Sequence, residues 1–171
     1  MKKIVLAVCG SVAAIEAPKV ARELIRKGVA VECVMSKAAR KIIHPDVLEW
    51  ASGNNVITRL TGGVEHVRLC GIGGESSLLL VCPATANTLS KIACGIDDTT
   101  VTTFASTALG SGKIVVVVPA MHESMYKNPF VAANIKRLKD NGIKVIEPRF
   151  AENKAKLADP EKIVAEVMKW I

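Results

Sequence analysis

The chain has 171 residues, the size of one domain on the usual scale of about 100–200 residues, and half of them are hydrophobic while only 4% are aromatic. Lys and Arg outnumber Asp and Glu by 23 to 16, a net charge of +7, yet the basic residues are scattered along helix faces without interleaved aromatics, which argues against nucleic acid and for small anions as partners. No apolar run nears the ~18 residues that span a bilayer and the N-terminus lacks the long apolar stretch of a signal peptide, so a cytoplasmic protein away from the membrane is expected.

In chain order, the apolar runs at 4–8 (IVLAV), 78–83 (LLLVCP) and 114–119 (IVVVVP) are continuous rather than alternating. Such runs predict strands buried on both faces, as in a parallel sheet covered by helices. The stretch 29–35 alternates more and is expected beside the first strand, with 143–148 as an edge strand. Between them, Val20, Leu24 and Ile25 before Gly28, and Val131, Ile135 and Leu138 before Asp140, carry helical spacing. Asp159 and Pro160 open a last helix whose apolar positions run from Ile163 through Trp170 and Ile171. Strand and helix alternate as in a doubly wound α/β fold, one domain over 1–171. The glycines of 53–76 predict loops. The five cysteines, odd in number and without C-x-x-C spacing, are read as reduced, buried thiols.

In this architecture ligands bind beyond the carboxyl ends of the strands. Four loops then share one edge: 9–14, 36–39, 83–88 and 119–125. The first turns from strand to helix through Gly10 and Ser11, the outline of a phosphate site, although Ser11 equally suits a helix cap. Pro18 predicts that this helix is kinked or begins late. The loop lacks the three glycines of a dinucleotide fingerprint, and "GSGK" at 110–113 lacks the spacing of a nucleotide-triphosphate loop. Thr85, Asn87 and Thr88 repeat the geometry of the first loop, with Thr85 as the alternative cap. Of the histidines, His44 reads as a surface residue and His66 as a satisfied loop residue on its own. No Cys or carboxylate stands at ligand spacing from any of the three, so no metal site is expected.

Together, "GSVAAIEAPKVARELIRKG", "HVRL", "PATANTLSKIACGIDDT" and "PAMHESMYKNP" occur in the order found in the FMN-dependent cysteine-decarboxylase flavoproteins, which the chain resembles over essentially its whole length. The resemblance implies a Rossmann-like, flavodoxin-type three-layer subunit that assembles as a homotrimer or dodecamer with FMN at the subunit interface. It assigns Gly10, Ser11 and Val12 to the FMN phosphate turn, with Ser36 and Lys37 beside it, Thr85, Ala86, Asn87 and Thr88 to ribityl and phosphate, and Ala120 to the flavin. His66 becomes the catalytic base. The activity implied is that of a carboxy-lyase of coenzyme A biosynthesis acting on phosphopantothenoylcysteine. A flavoprotein without decarboxylase activity, either an electron carrier or a regulatory subunit, and a flavin prenyltransferase are the alternatives.

Two positions depart from the family pattern. His122 stands where the family has an Asn that grips the substrate carboxylate, with Tyr126 in place of a Trp, and no cysteine follows Cys94 to serve in the family's late flap. "PAMHE" followed by "ENKAK" is similar to the branch in which a synthetase domain is fused to the decarboxylase. In the flap's place, Lys154 and Lys156 are expected as proton donors and Asn153 as a substrate contact, the alternative being a solvated face before the last helix.

Overall fold

The computed structural model describes residues 2–171. Eight strands and eight helices follow in chain order: β1 Lys3–Val8, α1 Ala17–Arg26, β2 Ala30–Met35, α2 Pro45–Ser52, α3 Glu65–Cys70, β3 Leu78–Ala84, α4 Ala86–Cys94, α5 Thr100–Gly110, β4 Ile114–Pro119, β5 Met121–His122, α6 Glu123–Tyr126, α7 Pro129–Asp140, β6 Lys144–Val145, β7 Arg149–Ala151, β8 Lys154–Lys156 and α8 Pro160–Met168. A five-stranded parallel sheet runs in the order β2-β1-β3-β4-β6. The expected Rossmann-like fold, flavodoxin-type in its strand order, is the one observed.

The continuous apolar runs are explained by layers on both faces. Ile4, Leu6, Leu78, Leu80, Val116 and Val118 pack towards α1, α2 and α8, while Val5, Ala7, Leu79, Val81, Val115 and Val117 pack towards α3, α4, α5 and α7. Every residue of β3 is buried. At about 1.5–3 kcal/mol for each fully buried Leu or Val, this strand anchors both layers.

Several boundaries differ from the sequence reading. The first helix begins late: Val12–Glu16 form a 3-10 turn, and Pro18 falls in the first turn of α1, where its missing N–H costs nothing. The expected strand over 143–148 is paired only at Lys144 and Val145, because the chain then leaves the sheet for the hairpin β7–β8. Asp159 holds the N-cap position of α8, but its carboxylate pairs with Arg149 at 3.3 Å instead of capping. That helix ends at Met168, and Trp170 and Ile171 pack on the core beyond its end. The glycine-rich stretch 53–76 is not all loop, since α3 forms within it and Ile57 bridges to Val34. Cys9, Cys33, Cys70 and Cys82 are buried, whereas Cys94, at the exposed end of α4, is not. Among the described residues no helix is long and apolar enough to cross a membrane.

Candidate active site at the carboxyl edge of the sheet

The strand order reverses between β1 and β3, since β1 pairs with β2 on one side and β3 on the other. The loops leaving β1 and β3 flank this switch point, where an open α/β sheet leaves a crevice. Gly10 is held there by close approach: a Cβ on it would lie 2.5 Å from that of Ala38 in the loop after β2. Ser11 caps the turn with its Oγ accepting the Ala13 N–H at 3.3 Å, and Ser36 accepts the Ala39 N–H at 3.1 Å. Val12 and Lys37 are exposed beside them. Thr85 caps α4, its Oγ1 accepting the Thr88 N–H at 3.1 Å and donating to the Thr88 hydroxyl at 3.2 Å. Ala86 and Thr88 are buried while Asn87 faces outward. The capping readings of Ser11 and Thr85 therefore hold. They leave the hydroxyl proton of Ser11 and the amide of Asn87 available to a ligand.

A cavity of about 610 Å³ opens between the start of α1, the end of β4 and the hairpin β7–β8. Of the residues singled out in the sequence it gathers Ser11, Val12, Ala120, His122, Lys154 and Lys156. The hairpin turns through Glu152 and Asn153, both with positive φ (52° and 56°), and β8 pairs antiparallel with β5. Paired positive φ values are those of a tight two-residue hairpin turn. Asn153 stands at the turn, its carbonyl accepting the Glu123 N–H at 2.9 Å, and does not line the cavity. His122 caps α6: its Nδ1 accepts the Ser124 N–H at 3.3 Å and lies 2.8 Å from the Ser124 hydroxyl.

Ion pairs dress the cavity wall. Lys19 meets Glu161 at 2.9 Å, Arg149 meets Asp159, and Lys156 meets Glu152 at 2.6 Å. Lys154 has no carboxylate within ion-pairing distance among the described residues. Lys19 and Arg149 were not singled out by sequence reasoning. Their only signal is three-dimensional, because α1, the hairpin and the start of α8 come together around the cavity from distant parts of the chain.

His66 is not the satisfied loop residue that it resembled. It lies in α3, half-buried, with its ring edge-on to Phe104 at 6.4 Å, and its Nδ1 is buried without a hydrogen-bond partner. A buried polar nitrogen left unpaired is costly and marks a site awaiting a partner. It does not line the cavity that holds His122. The buried thiols offer no alternative nucleophile. Burial pushes the Cys9 thiol up to about 11 and Cys33 to about 12. Cys70 is likewise raised by burial, with its Sγ 3.5 Å from the Ser76 hydroxyl. Among the described residues no group of three or more His, Cys, Asp or Glu could hold a metal ion.

The family model described as Flavoprotein matches residues 1–171. A bifunctional coenzyme A biosynthesis protein, CoaBC, of Thermococcus kodakarensis is 56% identical over 169 residues, covering 98% of this chain and 42% of that protein. The chain thus spans about two fifths of such bifunctional relatives. A Streptococcus mutans protein named probable phosphopantothenoylcysteine decarboxylase is 37% identical over 153 residues, covering 86% of this chain and 83% of its own length. Among solved structures, the FMN-dependent cysteine decarboxylase SpaF superposes with a TM-score of 0.83 at 30% identity, over 99% of this chain and 97% of its own.

Proposed function

The chain belongs to the flavoprotein family, and from that premise we propose that residues 1–171 form one FMN-binding domain that decarboxylates phosphopantothenoylcysteine in coenzyme A biosynthesis, as a cytoplasmic carboxy-lyase. The observation that carries this reading is the crevice at the β1/β3 switch point. It combines a backbone cradle that a Cβ at Gly10 would fill, a free Ser11 hydroxyl proton and an outward Asn87 amide at the start of α4. Donors clustered at helix starts suit a phosphate monoester and a polyol chain. Gly10, Ser11, Val12, Ser36 and Lys37 would hold the FMN phosphate, Thr85, Ala86, Asn87 and Thr88 the ribityl chain, and Ala120 would lie near the ring. The lack of a dinucleotide fingerprint speaks for FMN over FAD or NAD.

The chemistry requires an electron sink, because a carboxylate beside an ordinary carbon leaves a carbanion with no stabilisation. FMN, when bound, would supply it as an acceptor and later donor of hydride. The protein's part is to move protons and hold anions. His66 takes the proton released on thiol oxidation, its unpaired Nδ1 being ready for a partner. His122 holds the carboxylate, and Lys154 and Lys156 are the acids that reprotonate the carbon after CO2 leaves.

A homotrimer or dodecamer with FMN at the subunit interface fits the separation of His66 from the cavity, and a synthetase domain, fused or separate, supplies the substrate. The test is direct: purified protein should show the oxidised-flavin bands and release CO2 from phosphopantothenoylcysteine. Asn87→Asp puts a carboxylate beside the phosphate or ribityl group and should lower flavin content at least about ten-fold. Unchanged flavin content would remove this crevice as the site, and flavin binding without CO2 release would favour an electron carrier.

A further inference from the structure

In the antiparallel pairing of β5 with β8, His122 and Lys154 are directly opposite. Directly opposed residues project from the same face of a sheet with Cβ atoms about 4.5–5.5 Å apart, and both residues line the cavity. Lys19, Arg149 and Lys156 also line it, but each is already paired with Glu161, Asp159 or Glu152. Lys154 is therefore the cation on this wall without an ion pair among the described residues, with Glu152, paired to Lys156, close enough to act on it but not bonded to it. Glu16, the remaining carboxylate on the wall, lies close enough to Lys19 to act on it.

We propose that Lys154, before it serves as an acid towards the carbon, joins His122 in a two-point clamp for the α-carboxylate of a cysteine-type substrate, which makes Lys154 a specificity determinant of the site. The proposal rests on the substrate reading above and adds the residue that recognises the group to be lost. A carboxylate accepts hydrogen bonds at two oxygens, so a ring N–H and an ammonium set side by side on one ladder match it better than either alone. His122 can present its Nε2–H to the substrate while its Nδ1 accepts from Ser124. The clamp binds the ground state, because departing CO2 is neutral. Its expected signature is therefore in affinity, with the product bound more weakly than the substrate.

The test uses the FMN-loaded protein and two unreactive ligands, read by titration calorimetry. One is the oxygen analogue of phosphopantothenoylcysteine, with CH2–OH for CH2–SH, and the other is its counterpart lacking the carboxylate. Wild type should bind the carboxylate ligand more tightly. Lys154→Met should weaken that ligand about ten-fold and leave the other unchanged, while Lys154→Arg restores most of the loss. Equal weakening of both ligands in Lys154→Met would mean a structural role, and no weakening of either would mean that Lys154 does not touch the carboxylate. Either result overturns the clamp while leaving the substrate reading intact. If wild type binds neither ligand, the substrate reading falls and the clamp falls with it.

Discussion

His66 has a solitary Nδ1, buried against Phe104 and bonded to nothing. Desolvating a ring nitrogen without a partner costs about 1–3 kcal/mol, a cost understandable where a ligand later completes the bond. His66→Asn should accordingly keep its flavin, lose at least about a hundred-fold in turnover and unfold no earlier than wild type. Flavin absorbance, CO2 release and thermal unfolding on one preparation check all three. Full turnover would move the base elsewhere, with His122 next in line. Histidines were the residues the sequence described least well. His44, read only as a surface residue, also caps α2 by accepting the Asp46 N–H at 3.3 Å. The orphaned nitrogen of His66 depends on a packing partner 38 positions away, which spacing along the chain cannot show.

The hairpin β7–β8 is an element that no periodicity announced. Its strands are three residues long and its turn uses Glu152 and Asn153 where Gly would be the usual signal. It is held from outside by one network: the Tyr126 ring meets Phe150 edge-on at 5.2 Å, and the Tyr126 hydroxyl donates to Glu147 at 2.6 Å, which also binds Lys139 at 2.5 Å. Burial, followed by the bond to Glu147, raises the tyrosine's pKa, so the phenol remains a donor at neutral pH. Burial also pushes the Glu147 carboxyl up, but Lys139 and Tyr126 outweigh it and hold it below the usual carboxylate range. A carboxyl lowered by folding adds stability that is present above its unfolded pKa and is lost as pH falls through the folded value. Tyr126→Phe should therefore cost about 1 kcal/mol at pH 7, with the deficit shrinking below about pH 4. Urea unfolding at pH 7 and pH 3 measures both. No deficit at either value would mean that the ring contact with Phe150, which the variant keeps, and not the charged hydrogen bond, holds the element.

At the scale of the molecule, the parallel sheet was legible because continuous Val and Leu runs leave few alternatives to strands buried on both faces. The crevice was legible for the same reason, since strand order places ligand loops at carboxyl ends. What the sequence could not display is that the site falls into two parts. His66 belongs to the face carrying α3 and α5, whereas the cavity with His122 and Lys154 belongs to the face carrying α1 and α8. The ring proposed above would resolve this separation if each cavity received its base from a neighbour. Subunit mixing tests it without any structure of the assembly. His66→Asn and His122→Ala chains, each inactive alone at a substrate level that leaves the second unoccupied, are co-refolded in equal amounts. If base and cavity come from different copies, random assortment in a ring pairs one intact His66 with one intact His122 at about a quarter of the sites, and that share of wild-type CO2 release should return. If both parts belong to one chain, no mixed ring contains a complete site, and the mixture stays as inactive as its components.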